Sequence, residues 1–202
     1  MPSLQKRLKR LLRFQGMTVR RRIAESLPPR ALFLLSPIVH FIDMLILDHL
    51  FVRLLFPNRH KISERAWRSA QPLPLQLKKA KELGVRTVIN LRGNANSTTN
   101  RFEQESCNQL GINYVDYKLR SRAAPSKEEL QGLRNLLTAV EYPILLHCKS
   151  GADRAGLASA LYLHWMEGIP IEVARQQLSL RYGHLRQADT GLLDFFLEEY
   201  LR

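Results

Sequence analysis

The sequence predicts an α/β fold in which helices flank both faces of a central, mostly parallel sheet. Two observations support this fold class. Short apolar runs rich in β-branched or aliphatic residues, at 85–91 and 143–147, are typical of strands buried on both faces. Longer helical segments alternate with these runs, and glycines such as Gly84 and Gly111 end two of them. Strands that alternate with helices in this way pair in parallel, and their helices cover both sides of the sheet.

The order of elements follows from the same pattern, from about residue 60 onward. We expect strands at residues 66–69, 85–91, 112–119 and 143–147. We expect helices at residues 75–83, 102–110, 126–140, 156–167, 170–180 and 190–201. The third helix has the clearest start, because Ser126 followed by Glu129 forms a capping box. A polar loop is expected at residues 94–100.

The positive charge of the chain is concentrated at its N-terminal end. The formal net charge is +13, and residues 1–30 contribute +8 through nine basic residues and one acid. Residues 31–56 are strongly apolar and long enough to span a bilayer, but they contain Asp43, Asp48 and Arg53, which are costly in hydrocarbon. We therefore expect an interfacial membrane anchor. The alternative is a helix that packs against the following domain.

This break in composition predicts two parts. Residues 1–57 are expected to form a basic head and an apolar membrane-associating helix, and residues 58–202 one α/β domain. The basic head favours an anionic surface, with a solvated, flexible tail as the alternative. Nucleic acid is not expected as a partner, because no aromatic stacking pattern accompanies the arginines. The two cysteines, Cys107 and Cys148, are too few for a disulfide framework and fit a reducing compartment.

The motif that carries chemistry is Cys-Lys-Ser-Gly-Ala-Asp-Arg at residues 148–154, between a buried strand and a helix. Backbone N–H groups in such a loop converge on one point, and the helix N-terminus adds its positive dipole end, so the loop predicts an anion site. In this field Cys148 is expected to be a nucleophilic thiolate. Arg154 is expected to clamp two phosphate oxygens with its planar guanidinium. The remaining residues predicted to bind the phosphate in this loop are Lys149, Ser150, Gly151 and Ala152.

Residues 147–154, His-Cys-Lys-Ser-Gly-Ala-Asp-Arg, resemble the His-Cys-x5-Arg signature of the protein tyrosine phosphatase superfamily, nearest its dual-specificity branch. Residues 67–72 (Trp-Arg-Ser-Ala-Gln-Pro) and 88–92 (Val-Ile-Asn-Leu-Arg) resemble two further stretches common in bacterial members. The resemblance covers about residues 60–202. It implies the cysteine-dependent phosphatase fold and hydrolysis of phosphomonoesters through a phosphocysteine intermediate at Cys148. It implies no cofactor and no metal.

Two positions depart from the family pattern. The family carries a general-acid aspartate on a loop before the helix that precedes the signature, and residues 118–125 contain no acid. Asp153 is our first candidate, since relatives such as myotubularin-like lipid phosphatases carry an aspartate just before the signature arginine. The alternatives are Asp116 and a proton from substrate or water. Ala155 stands where the family usually has a Ser or Thr hydroxyl that assists the second step, and Ser150 is the nearest substitute.

Basic residues around the predicted site indicate a strongly anionic substrate. Lys149 lies in the loop, and Arg120 and Arg122 lie where the family places its acid. The predicted substrate is a phosphorylated protein or an anionic, membrane-associated lipid or sugar phosphate. The alternative function is a phosphate-binding module of low turnover. We expect the protein at a membrane surface, on the cytoplasmic face of a bacterial inner membrane, or otherwise in the cytoplasm.

Overall fold

A computed structural model describes residues 56–93 and 98–200, except the side chains of Thr98 and Tyr200. The predicted basic head and apolar helix lie outside the described residues up to position 55, as does the first part of the predicted loop at 94–100. The domain boundary at residue 57 therefore stays a prediction. Within the two described ranges, every helix is too short or too polar to cross a membrane.

The described residues form one five-stranded mixed sheet. Its strands are β1 (His60–Ser63), β2 (Ala66–Ala70), β3 (Thr87–Asn90), β4 (Asn113–Asp116) and β5 (Ile144–Cys148). Their order across the sheet is β1-β2-β5-β3-β4, and every pairing is parallel except that of β1 with β2. The strand β5 thus lies at the centre, between β2 and β3, and all of its residues are buried.

Helices connect the parallel strands and continue beyond β5. They are α1 (Pro74–Glu82), α2 (Thr98–Gln109), α3 (Lys127–Ala139), α4 (Asp153–Glu167), α5 (Ile171–Ala174) and α6 (Leu192–Tyr200), with 3₁₀ turns at Arg175–Gln177, Leu180–Tyr182 and Asp189–Gly191. The capping box predicted at the start of α3 is present. The N–H of Glu129 donates to Oγ of Ser126, and the N–H of Ser126 donates to Oε2 of Glu129.

Two hydrophobic clusters cover the two faces of the sheet. Leu77 of α1 belongs to one cluster together with Leu145 of β5. Leu161 of α4 belongs to the other together with Leu146 of β5. Successive residues of a strand point to opposite faces, so β5 contributes to both clusters. Helices therefore flank both faces of a mostly parallel sheet, and the predicted fold class is confirmed.

The structure corrects the predicted elements at three places. The edge strand β1 is missing from the prediction, because its four residues carry no clear apolar alternation. The helix α2 begins at Thr98, so the polar residues 98–100 belong to its first turn rather than to a loop. The predicted helix at 170–180 is wrong beyond residue 174, where a 3₁₀ turn follows α5. The carbonyl oxygen of Gln177 accepts a hydrogen bond from Arg68, and the buried Leu178 then leaves the helical region with φ −97° and ψ 86°.

Candidate active site

Cys148 is the last residue of β5, at the carboxyl edge of the sheet. Ala70 of β2 lies opposite Cys148, and Asn90 of β3 lies opposite His147, so the three central strands end together. In open α/β sheets this edge is where ligands bind. The side chain of Cys148 is only 2 % exposed, which places the thiol at the bottom of the site rather than on the surface.

The phosphate loop, residues 148–154, links β5 to α4. Gly151 has a φ of 78°, in the left-handed region. A Cβ atom on it would also lie 2.6 Å from the backbone nitrogen of Ala70. Both the conformation and the close approach to β2 therefore require glycine at this position. Because α4 begins at Asp153, the positive end of its dipole lies at the loop.

Arg154 is half-buried in the first turn of α4. Within the part of the chain that the structure describes, its side chain makes no hydrogen bond and no ion pair. A guanidinium that is not engaged by the protein keeps its planar set of donors for a ligand. Cys148 and Arg154 thus stand at the two ends of one short loop, as the motif predicts.

Arg68 contacts the loop from the neighbouring strand β2, and its side chain is fully buried. Its Nη2 donates to the carbonyl oxygen of Gly151 at 2.6 Å and to that of Ala152 at 3.1 Å. Its Nη1 donates to the carbonyl oxygen of Gln177 at 2.6 Å. The guanidinium carbon lies 4.0 Å from the centre of the Tyr182 ring. Burial lowers the pKa of Arg68 to about 10, so the side chain remains a cation at neutral pH.

A buried polar network lies beside the nucleophile and reaches α2. The Nε2 atom of His147 lies 2.7 Å from Oε1 of Glu103. The other carboxylate oxygen of Glu103 accepts a hydrogen bond from Nε2 of Gln71 at 2.7 Å, and Gln71 also contacts Asn100 and Arg92. Side chains from β5, from α2 and from Gln71, the residue after β2, are therefore joined next to the strand end that carries the thiol.

Asp153, the first candidate for the general acid, contacts a buried histidine. Its Oδ1 lies 2.7 Å from Nδ1 of His184, and Nε2 of His184 lies 2.7 Å from Oδ2 of Asp194 in α6. Ionised carboxylates only accept hydrogen bonds, so this geometry favours an imidazolium that donates from both ring nitrogens. The bond with Asp153 and the proximity of Asp194 accordingly raise the pKa of His184 above its usual 6.5.

Asp116, the second candidate, is the last residue of β4 and is exposed. Its Oδ1 accepts hydrogen bonds from Nδ2 of Asn90 at 2.6 Å and from the hydroxyl of Tyr114 at 3.0 Å. Both candidate carboxylates therefore lie at the carboxyl edge of the sheet. Asp153 belongs to the phosphate loop itself, whereas β3 separates Asp116 from β5. Their roles stay predictions.

The two arginines predicted to bind substrate pair with acids outside the phosphate loop. The Nη2 atom of Arg120 lies 2.9 Å from Oε2 of Glu129, and Nε of Arg122 lies 3.8 Å from Oδ2 of Asp189. The two arginine side chains are 49 % and 74 % exposed. Exposed pairs of this kind are worth roughly 0–1 kcal/mol, so an anionic substrate can displace the acids at little cost. A role of these arginines in substrate binding stays a prediction.

A protein-family model matches residues 58–191. This range contains the phosphate loop and every residue described above as contacting it. The model describes a DSP-PTPase phosphatase fused to NAD+ kinase. The chain belongs to this phosphatase family. The predicted resemblance to the protein tyrosine phosphatase superfamily, near its dual-specificity branch, is confirmed by this match, and the predicted class of cysteine-dependent phosphatases is confirmed at the level of the family.

Individual relatives of this DSP-PTPase domain are more distant. The dual specificity protein phosphatase TpbA of Pseudomonas aeruginosa (strain UCBPP-PA14) is 27 % identical over 122 residues, which cover 60 % of this chain and 53 % of TpbA. The chain thus spans about half the length of the curated relative that it matches. The crystal structure of P. aeruginosa TpbA, a Cys-to-Ser variant in complex with pTyr, gives a TM-score of 0.55 at 22 % identity and covers 72 % of this chain and 90 % of that one. Tk-PTP in its active form gives a TM-score of 0.55 at 18 % identity, covering 71 % and 97 %. At these identities the solved structures show a shared fold.

Three residues of the DSP-PTPase site have no role in the sequence interpretation. They are Arg68, Glu103 and His184, and each contacts the phosphate loop or His147 from a distant part of the chain. For Arg68 a usable signal exists, because a charged residue in a short, otherwise uncharged strand must be explained when the strand is buried. Glu103 and His184 lie among polar residues and carry no such signal.

Proposed function

We propose that the protein hydrolyses phosphomonoesters through a phosphocysteine intermediate on Cys148. The observation that carries the proposal is the position of Cys148 and Arg154 at the two ends of one phosphate loop, with the N-terminus of α4 at the same place. The thiol is a nucleophile in a positive field, and the guanidinium of Arg154 is not engaged by the described residues. Membership of a phosphatase family supports this use of the site.

The reaction has two steps. In the first, the Cys148 thiolate forms a bond to phosphorus, the ester P–O bond breaks, and its electron pair leaves with the alcohol oxygen, which takes a proton from a general acid. In the second, water attacks phosphorus, the P–S bond breaks, the thiolate returns and inorganic phosphate is released. Arg154 and the N–H groups of the loop stabilise the charge on the equatorial oxygens in both steps. We propose Asp153 as the acid, with Asp116 as the alternative.

We propose that the substrate is a phosphorylated protein or an anionic phosphate held at a membrane. The complex of TpbA with pTyr supports an aryl phosphate ester as one substrate class. The loop contributes Lys149, and the neighbouring 3₁₀ turn contributes the exposed Arg181. Cations beside the phosphate loop favour substrates that carry more than one negative charge.

We also propose that the active-site edge faces the membrane surface. The Nδ2 atom of Asn58 donates to the carbonyl oxygen of Ser150 at 3.0 Å and to that of Tyr182 at 2.9 Å. The first described residues therefore lie next to the phosphate loop. Phe56 is 71 % exposed and Leu180, two residues before Tyr182, is 74 % exposed. Exposed apolar side chains among cations fit the interface of an anionic bilayer.

The decisive test of the reaction is the full-length Cys148→Ser variant. We expect it to lose turnover of p-nitrophenyl phosphate and to keep binding of tungstate, a phosphate analogue that needs no bond to sulfur, because the hydroxyl is a poor nucleophile whereas the loop and Arg154 remain. More than about a tenth of wild-type activity in this variant would exclude the phosphocysteine route. Cys107→Ala is the matched control. Burial raises the pKa of Cys107 to about 12, so we expect activity within about twofold of the wild type.

The substrate class needs a separate panel. Full-length protein is offered phosphotyrosine peptides, phosphoinositides, phosphatidylglycerophosphate and sugar phosphates, with the lipids in vesicles of phosphatidylcholine with or without phosphatidylglycerol. A membrane substrate predicts that kcat/KM for the lipid rises with the anionic fraction, whereas that for a soluble peptide does not. A preference for the peptide in all conditions contradicts the membrane proposal.

A phosphate-binding module of low turnover is the second candidate, and Ala155 favours it. This residue is fully buried and supplies no hydroxyl for the second step. Rapid-quench kinetics with p-nitrophenyl phosphate separate the two functions. A burst of one equivalent of p-nitrophenol followed by very slow turnover indicates a slow second step, and a burst that Ala155→Ser converts into fast turnover identifies the missing hydroxyl as the cause.

A further inference from the structure

Arg68 is a buried cation without an acidic partner. Its side chain is fully buried, and no carboxylate of the described residues lies within ion-pair distance of it. Its hydrogen-bond acceptors are three backbone carbonyls and the Oε1 atom of Gln177, and its Nε atom is buried without a hydrogen-bond partner. Burying a charge in this way is costly, and an apolar side chain would serve the fold of β2 better.

We propose that Arg68 is a positioning residue of the phosphate site, which orients the peptide groups of the loop and supplies the positive charge behind them. The inference rests on the proposed function, because it assumes that the loop binds a phosphate or a phosphoryl group. Arg68 itself does not contact the substrate in this role. It acts through the carbonyl groups of Gly151 and Ala152.

The orientation follows from peptide geometry. In a trans peptide group the C=O and the N–H of the next residue point in opposite directions. Arg68 holds the carbonyl oxygens of Gly151 and Ala152 on the side of β2. The N–H groups of Ala152 and Asp153 are thereby turned away from β2. The N–H of Ala152 makes only a long contact, 3.4 Å to Oγ of Ser150, which a bound anion can replace. An anion site of this type depends on N–H groups that are oriented before the ligand arrives.

The positive charge of Arg68 also favours the binding of an anion in the loop. Asp153 attracts the charge of Arg68, and so does Cys148 whenever it is a thiolate. His184 and Asp194 already form an ion-paired chain with Asp153 on the other side of the loop. No carboxylate of the described residues lies within ion-pair distance of the guanidinium, so its positive charge remains available to an anion bound in the loop. A phosphate dianion in the loop supplies the missing counter-charge.

The first experiment compares the wild type with Arg68→Met and Arg68→Lys. Orthovanadate binding is measured by calorimetry, and kcat and KM by hydrolysis of p-nitrophenyl phosphate. Loss of a buried, hydrogen-bonded charge predicts vanadate binding at least about 30-fold weaker in Arg68→Met. Arg68→Lys keeps the charge but loses the planar fork whose Nη2 bonds the two loop carbonyls while Nη1 bonds Gln177, so we expect an intermediate loss of about tenfold. A folded Arg68→Met protein that binds vanadate within about twofold of the wild type would overturn the proposal.

Gln177→Leu is the matched control. It removes the hydrogen bond of Arg68 to Oε1 of Gln177 and leaves the two loop carbonyls bonded. We expect a lower melting temperature with vanadate affinity and kcat changed less than about twofold. If Gln177→Leu and Arg68→Lys lose affinity equally, Arg68 is only a structural residue and the proposal fails.

Two measurements separate this proposal from that of the phosphatase function. Alkylation of Cys148 by iodoacetamide at pH 7 needs no bound phosphate, and we expect it to slow at least about tenfold in Arg68→Met, because the thiolate loses a buried cation that attracts its charge. An unchanged alkylation rate counts against Arg68, whereas a wild-type protein without turnover or vanadate binding counts against the proposed function. If the Met variant does not fold, the Lys variant decides. If neither folds, the Nε–H resonance of Arg68 in the wild type decides, since it must shift when vanadate binds.

Discussion

The Nδ1 atom of His184 lies 2.7 Å from Oδ1 of Asp153, which joins the start of α4 to a buried imidazole. The second ring nitrogen contacts Asp194 of α6 at the same distance. A buried cation between two carboxylates thus connects the phosphate loop to α6, the last helix of the described residues. This connection bears on both the pH dependence of stability and the identity of the general acid.

The pKa of His184 predicts that stability depends on pH. The hydrogen bond with Asp153 raises this pKa above 6.5, so the folded state binds the proton more tightly than the unfolded state. The resulting stabilisation is fully present below pH 6.5 and is lost as the pH rises through the folded-state pKa. We expect the melting temperature of the wild type to exceed that of His184→Asn at pH 6 and the difference to shrink by pH 9. Thermal unfolding followed by circular dichroism checks this prediction. If the wild type and His184→Asn differ in melting temperature by the same amount at both pH values, His184 is not protonated in the folded state.

Gly151→Ala tests whether the loop needs its left-handed residue. The φ of 78° and the 2.6 Å approach of a Cβ to the backbone of Ala70 predict that alanine displaces the loop. We expect loss of vanadate binding and at least about 2 kcal/mol of stability, from backbone strain and overpacking together. Gly168→Ala is the control, because its φ is 68° but no atom lies within 4 Å of the added Cβ. It should lose stability and keep vanadate affinity. Unchanged vanadate binding in Gly151→Ala would contradict the prediction that the loop has no room for a Cβ atom at position 151.

Local sequence determines some parts of this site and not others. The loop is predictable because the strand, the nucleophile, the glycine and the helix start are contiguous, so a short motif contains all of them. The contact of Arg68 with Gln177 joins residues 109 positions apart, and that of His184 with Asp153 joins residues 31 apart. Contacts of this separation leave no periodic signal. The helix predicted at 170–180 ends early for a similar reason, since the tertiary contacts of Gln177 and the buried Leu178 override local propensity.

A truncation tests the membrane proposal and uses the contacts at the start of the described domain. The carbonyl oxygen of Pro57 accepts a hydrogen bond from the N–H of Ala70 at 2.9 Å, and Asn58 bonds to the phosphate loop. Deleting residues 1–55 keeps these contacts. We expect the shortened protein to move from the membrane to the soluble fraction with vanadate affinity unchanged. An unchanged distribution would show that the anchor is misassigned, and an insoluble product would favour a helix packed on the domain.

A matched variant separates anchoring from support of the loop. Asn58→Asp keeps the size of the side chain but removes both N–H donors to Ser150 and Tyr182. In the full-length protein it should leave membrane fractionation unchanged and weaken vanadate binding, because the carbonyl of Ser150 loses its donor. Equal vanadate affinity in Asn58→Asp and wild type would show that the hydrogen bonds of Asn58 do not support anion binding by the loop.

The proton donor is tested by comparing leaving groups. If Asp153 is the general acid, Asp153→Asn slows hydrolysis of alkyl phosphates by roughly 10²–10⁴ and scarcely affects aryl phosphates with acidic leaving groups, which depart without a proton. If Asp153 only holds the loop, both classes lose rate equally, because the damage falls on phosphate binding. Asp116→Asn is the control for the second carboxylate. The His184→Asn variant gives a third comparison. If Asp153 draws its proton from the His184 imidazolium, His184→Asn reproduces the loss that is selective for alkyl phosphates. If the two residues form only a structural ion pair, His184→Asn lowers the melting temperature and affects both substrate classes equally. Equal losses for the two substrate classes in Asp153→Asn exclude it as the acid, and an alkyl-selective loss in Asp116→Asn transfers the role to that residue.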